Sequence, residues 1–226
     1  MPLWRWRAAE FKEMEFEMNK VGRIVGLVGI ALFATINVRA ADRGLFVTGS
    51  VGANILQDMK FPTAPPVNTV TQSQDIGIRG DATVGYTLFA NPSIAVAAAG
   101  EIGFIHNSVD KASGGGATVS VDGDFYQVPF LGKVLLTLMP DSRISPWIGA
   151  GGGGIYSRLD LRRVGSSFPN VTGDETDPAF QGEAGVNYKL GDKAAIGLVY
   201  KFLVGFPKDI GNFYNHSIAV AFTANF

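Results

Sequence analysis

Within each alternating run of this chain, mid-strand charge is confined to one parity of residue number. In 75–88, Ile76, Ile78, Ala82, Val84, Tyr86 and Leu88 share one parity, and Arg79 and Asp81 take the other. In 93–105, Ile94, Val96, Ala98, Ile102 and Phe104 oppose Glu101. In 124–138, Tyr126, Val128, Phe130, Val134, Leu136 and Leu138 oppose Gln127 and Lys133. Phe180, Ala184, Val186, Tyr188 and Leu190 oppose Gln181 and Glu183, and Ala194, Ile196, Leu198, Tyr200, Phe202 and Val204 oppose Lys201. A period of two is the mark of a β-strand with two unlike faces. A face kept free of charge across so many strands fits contact with lipid, where a Lys or Arg at the bilayer midplane costs about 2–4 kcal/mol. A soluble eight-stranded barrel has the reverse need, polar outside and apolar inside.

Eight strands are predicted, over 44–55, 75–88, 93–105, 124–138, 143–157, 179–190, 194–204 and 215–226. They exceed the roughly 5–6 residues of a typical globular strand and reach the ~9–11 needed to cross a bilayer at a tilt. Their connections alternate. Phe89-Ala90-Asn91-Pro92, Met139-Pro140-Asp141-Ser142 and Gly191-Asp192-Lys193 are tight turns by composition. The stretches from Gln57 to Gln74, His106 to Gly123, Leu159 to Pro178 and Gly205 to Tyr214 are long. In an up-and-down barrel this puts every short turn at one end and every long loop at the other. The expected fold class is therefore all-β, an eight-stranded antiparallel up-and-down transmembrane β-barrel.

Both termini fit an exported chain. The last strand sets Ile218, Val220, Phe222, Ala224 and Phe226 against Ser217, Ala219, Ala221 and Thr223, and it ends on an aromatic. Lys20 and Arg23 precede the apolar run Ile24–Ala34, followed by Val38-Arg39-Ala40. That order describes a signal peptide over 18–40, cleaved after Ala40. Residues 1–17 do not fit a signal peptide and read as a mis-called N-terminal extension upstream of a start at Met18. The domain proper is 41–226. The chain has no Cys, which excludes disulfides and thiolate metal sites, and it has no long basic run that would suggest nucleic acid.

The signal peptide, Val128-Pro129-Phe130, Pro146–Gly153 and the terminal Ile218–Phe226 together resemble the small bacterial outer-membrane β-barrel family, which includes the OmpA transmembrane domain, OmpX and the opacity proteins. The resemblance covers the whole of 41–226. It implies a porin-like architecture in the bacterial outer membrane, with lipid and lipopolysaccharide as surroundings. It also implies a C-terminal strand, through Phe222 and Phe226, that is read by the barrel assembly machinery. With no residues after Phe226, a peptidoglycan-binding domain is not expected. A single Trp in 41–226 means that any aromatic belt must use Tyr and Phe.

Arg79, Asp81, Glu101, Lys133, Glu183 and Lys201 would point into a lumen just wide enough for side chains. Buried charges need partners, and same-face residues on adjacent strands supply them. A three-residue turn at Gly191–Lys193 sets Glu183 opposite Lys201, and one at Phe89–Asn91 sets Arg79 opposite Glu101; a five-residue turn there would set Asp81 opposite Glu101, two like charges, so the first register is expected. These six are expected to form lumen ion pairs with a structural role; a gate is the other reading.

Little else suggests chemistry. Gly149–Gly154 lacks the Lys and Ser/Thr of a phosphate loop. Asp122-Gly123-Asp124 and Asp174-Glu175-x-Asp177 have the oxygen ligands a hard cation takes, but they read as solvated loop acids, and no metal or cofactor is expected. His106-Asn107-Ser108 faintly resembles the His-x-Ser of lipid A deacylase barrels, with Asp110, Asp122 or Asp124 as the orienting acid. Leu159–Arg163 is amphipathic, and Arg162 and Arg163 are candidates for lipopolysaccharide phosphate. The expected function is a monomeric, non-enzymatic barrel with a plugged polar lumen, acting structurally or on an unknown surface ligand through four extracellular loops. A small pore for apolar solutes, as OmpW-like barrels suggest, is the first alternative, and a lipid A-modifying enzyme is the weaker one.

Overall fold

The computed structural model describes residues 44–57, 59–62, 69–114, 117–162, 171–207 and 211–226. All of them lie in the unit Ala40–Phe226. The predicted signal peptide and the 1–17 extension lie outside the described residues. The strands are β1 (Leu45–Leu56), β2 (Met59–Pro62), β3 (Thr69–Gln74), β4 (Gly77–Ala90), β5 (Ile94–Gly114), β6 (Ala117–Leu138), β7 (Ile144–Arg162), β8 (Val171–Lys189), β9 (Ala194–Gly205) and β10 (Phe213–Asn225). Eight of them pair in a ring, β1-β4-β5-β6-β7-β8-β9-β10 and back to β1, antiparallel throughout. β2 and β3 form a short hairpin attached to the outer end of β5.

Closure requires tilted strands with a fixed stagger. From Gln127 the ladder runs through Ile105, Arg79, Gly52, Ala219, Val199, Gly185 and Trp147, and it returns to β6 at Thr137, about ten residues further along the strand. The seam joins the first and last strands. β1 and β10 pair from Phe46↔Asn225 to Leu56↔Asn215, and Phe226 N–H donates to Leu45 O at 2.8 Å.

The short turns are built as their residues suggest. Asn91 Oδ1 accepts from the amides of Ser93 and Ile94, and Leu190 N–H donates to Ala194 O. Met139 takes a left-handed φ of 48°, and Ser145 Oγ donates to Met139 O and Ser142 O beside it.

The long connections differ from the sequence expectation. Much of His106–Gly123 and Leu159–Pro178 is strand, with β5 and β6 running to Gly114 and from Ala117, and β7 and β8 running to Arg162 and from Val171. These segments rise past the other strands, because β9 ends at Gly205, opposite Ala179. Part of Gln57–Gln74 is the β2–β3 hairpin. Beyond the bilayer neither face needs to be uniformly apolar, so the alternation fades there while backbone pairing continues.

The faces are inverted relative to a soluble protein. Val51, Ile218 and Leu198 are more than half exposed, whereas Arg79 is 1% and Lys201 3% exposed. Outward aromatics collect near both ends of the strands. Phe104, Tyr126, Phe180, Tyr200, Phe202 and Tyr214 stand toward the long-connection end, and Tyr86, Phe89, Tyr188 and Phe222 toward the short-turn end. Trp147 instead packs inward against Val199, Ala219 and Ala221.

A charge placed on the outward face separates depth from simple exposure. Val220→Arg, on the lipid-facing parity in mid-strand, is expected to lower the unfolding free energy in lipid vesicles by about 2–4 kcal/mol, and Leu88→Arg, near the short-turn rim, by roughly 0–1 kcal/mol. Urea titration of the refolded protein measures both, and equal costs would argue against a bilayer-spanning face.

Candidate functional site

The lumen is layered along the barrel axis. Glu101, on β5, is 4% exposed and gathers donors from five side chains. Its Oε1 accepts from Arg79 Nη2 at 3.1 Å and Gln181 Nε2 at 2.9 Å. Its Oε2 accepts from Lys133 Nζ at 2.6 Å, Lys201 Nζ at 2.7 Å and Thr83 Oγ1 at 3.1 Å. Lys201 Nζ also donates to Asp81 Oδ2 at 2.9 Å, and Lys133 Nζ lies 2.8 Å from Glu183 Oε1. Arg79 Nε donates to Asp81 Oδ1 at 2.9 Å, while its Nη2 reaches Gln181 Oε1 at 2.6 Å. All six charged residues that the parity placed inward thus lie in one network, three cations with three carboxylates.

Of the two expected registers one holds: Glu183 stands opposite Lys201. Glu101, however, stands opposite Thr83, and Arg79 opposite Ile105. A bulge between Thr87 and Phe89 and the hydrogen-bonded turn at Asn91 move β4 past both registers that a three- or five-residue turn would give. Arg79 needs no directly opposite acid, because its guanidinium spans to Asp81 two residues along its own strand and to Glu101 across the pair.

The Gly-rich part of β7 makes room for this network. A Cβ on Gly151 would lie 2.6 Å from Lys133 Cβ, and one on Gly149 would lie 2.9 Å from Glu183 Oε1. Larger residues would push these chains out of the ionic layer.

Toward the long-connection end an amide layer follows. Asn54 Nδ2 donates to Asn107 Oδ1 and Asn215 Oδ1, both at 2.8 Å, and Ser217 Oγ donates to Asn54 Oδ1. An apolar cluster lies around and beyond it, with Ile105, Ile155, Leu203, Phe125 and Phe213, the last two in edge contact at 6.3 Å. Sequence reasoning did not assign Gln181, Asn107 and Asn215 to the site. Gln181 shares the charged parity and was legible there. Asn107 and Asn215 sit where strand and loop patterns merge.

On the outward face, His106 Nε2 lies 2.9 Å from Asp124 Oδ1, and its ring stacks on Tyr126 at 4.7 Å. Ser108, two residues along the same face, stands opposite Asp124. Of the three acids proposed for His106, the structure pairs it with Asp124. Another outward histidine, His216, holds Tyr200 Oη at 2.7 Å on Nδ1 and Gln57 Nε2 at 3.0 Å on Nε2. Among the described residues no group of three or more His, Cys, Asp or Glu side chains could hold a metal. Arg163 and the side chain of Arg162 lie outside the described residues.

A family model described as outer membrane protein beta-barrel domain matches residues 28–226. No curated protein sequence matches the chain. Among solved structures it is similar to Neisserial surface protein A, at 13% identity and a TM-score of 0.51, covering 80% of this chain and 97% of that one. It is also similar to the outer membrane protein OprG of Pseudomonas aeruginosa, at 13% identity and a TM-score of 0.50, covering 81% and 96%. At such identities the likeness is one of fold.

Two substitutions weigh the lumen interactions against each other. Glu101→Gln leaves three buried cations short of an acceptor and is expected to cost about 3–5 kcal/mol. Gln127 is fully buried, with neither amide atom hydrogen-bonded. An unpaired buried polar group costs about 1–3 kcal/mol, so Gln127→Leu is expected to leave stability unchanged or raise it. Urea midpoints of the two variants should move in opposite directions, or only the first should move.

Proposed function

This chain belongs to the outer membrane protein beta-barrel domain family, and on that premise we propose an integral outer-membrane barrel whose lumen is plugged and whose work is structural or done by its long-connection end. The observation that carries this reading is the ionic layer. Side chains from five strands meet at or around Glu101 with charges balanced three to three. An ion crossing the lumen would have to break several buried charge-assisted hydrogen bonds, each worth roughly 1.5–3 kcal/mol. The apolar cluster beyond the amide layer adds a second barrier. In this reading no catalysis is assigned to the chain. Residues 18–40 serve as a leader cleaved after Ala40, and Phe222 on the outward face of β10 and Phe226 just past its end present the assembly signal. Arg162 and Arg163 are candidates for lipopolysaccharide phosphate.

The test is conductance of the refolded protein in a planar bilayer, wild type beside Lys201→Ala. Silence from the wild type is expected. Steady single-channel steps from the wild type would make the lumen a pore and the charges its gate, which is the alternative reading.

A second reading rests on the outward His106–Asp124 contact with Ser108 on the same face. An acid that fixes an imidazole leaves the other ring nitrogen to act as a base toward a hydroxyl, which is the order of parts for acyl transfer. Their place near the long-connection end would suit an ester of the outer leaflet. Mass spectra of lipid A from cells with and without the protein decide it. Unchanged acylation is expected on the main reading, and a loss of acyl chains abolished by Ser108→Ala would establish the second.

A further inference from the structure

At the short-turn end the lumen opens into a cavity of about 440 Å³, a size in the range of small-molecule sites. Its mouth is bordered by the turns at Asp141 and Asp192, and its floor by Lys133, Lys201 and Glu183. Asp81 and Glu101 neutralise the two lysines from behind and do not line the cavity. Seen from the cavity, the floor therefore presents two ammonium groups to one carboxylate.

Donor counting sharpens this. An ammonium has three N–H donors. Lys133 Nζ donates to Glu101 and stands in ion-pair contact with Glu183, 2.8 Å from its Oε1. Lys201 Nζ spends two, on Glu101 and Asp81, and stands 3.9 Å from Glu183 Oε2, beyond hydrogen-bond reach. Each lysine keeps at least one donor. The walls above them add the hydroxyl of Thr87 and the Thr48–Thr223 pair, whose hydroxyls are hydrogen-bonded to each other at 2.8 Å and leave one donor between them.

We propose that this cup is a binding site for a compact oxyanion, of the phosphate or carboxylate class, entering from the short-turn end. One oxygen takes the remaining donor of Lys133 or Lys201, and the others meet hydroxyls or water. The aqueous mouth keeps the site rapidly exchanging, and Glu183 on the floor holds its affinity modest. The proposal rests on the plugged lumen, since a conducting barrel would pass the anion instead of holding it.

Trp147 lines the same cavity and reports on it. The full chain with Trp4→Phe and Trp6→Phe, refolded in detergent, leaves Trp147 as its only Trp. Titration with inorganic phosphate and with acetate, at ionic strength held constant with chloride, is expected to give a saturable change in Trp147 fluorescence. Response to both anions defines a general oxyanion site, and response to one narrows its class. Lys201→Met should weaken binding about tenfold, equivalent to roughly 1.4 kcal/mol. Ala97→Phe, which fills the cavity wall in the row of Thr87 and Leu135 and removes no member of the ionic layer, should abolish it while heat-modifiable gel migration persists. If Lys201→Met fails to fold, Ala97→Phe alone carries the test. A response that fails to saturate, that chloride reproduces, or that survives Ala97→Phe would overturn the site. Conductance by the wild type would overturn the plugged lumen instead, so the two failures are distinguishable.

Discussion

The structure depends on one carboxylate being worth more surrounded than solvated. Taking Glu101 out of water is expensive, and a single cation would not offset it. Arg79, Lys133 and Lys201 all reach it, with Gln181 and Thr83 completing its acceptor sites. The three cations in turn need Asp81 and Glu183. The layer is therefore an all-or-none arrangement. Removing one member strands charge at several others, and its members come from strands far apart in sequence.

Such an interior requires an apolar exterior. The inward parity is spent on polar groups, so the outward parity carries the hydrophobic surface, and only lipid accommodates that surface without a partner. Closing the sheet is equally necessary, because an open edge would leave backbone groups unpaired in hydrocarbon. The β1–β10 seam meets that need with eleven paired rows and ties the chain's last residue to its first strand. The glycines of β7 belong to the same constraint. They leave space where Lys133 and Glu183 cross the lumen.

The lipid-facing and lumen-facing sets were legible because charge is forbidden on one parity and concentrated on the other. The six lumen charges followed from that rule alone. The pairing between β4 and β5 did not. A bulge at Thr87/Phe89 shifts every row beyond it, and nothing in the local alternation marks it. The assumption that ion partners sit directly opposite also failed for Arg79, whose side chain is long enough to bridge offset rows. The strands of the long-connection end have the sequence pattern of loops because outside the bilayer the alternation no longer has a physical cause. His106 could be given three acids from sequence, and only the β5–β6 register selects Asp124.

The sequence by itself determined the class of fold, the parity that meets lipid, the end that carries the short turns, and the identity of the charges inside. Each of these is a periodic or local property, enforced residue by residue through the cost of placing charge in hydrocarbon. The tertiary structure decided which charges meet, how far the hairpins rise beyond the shorter strands, and that a polar cup remains below the ionic layer. Those depend on the stagger of closure and on a single bulge. Both are set by the sum of contacts around the whole ring, and no strand read alone contains them.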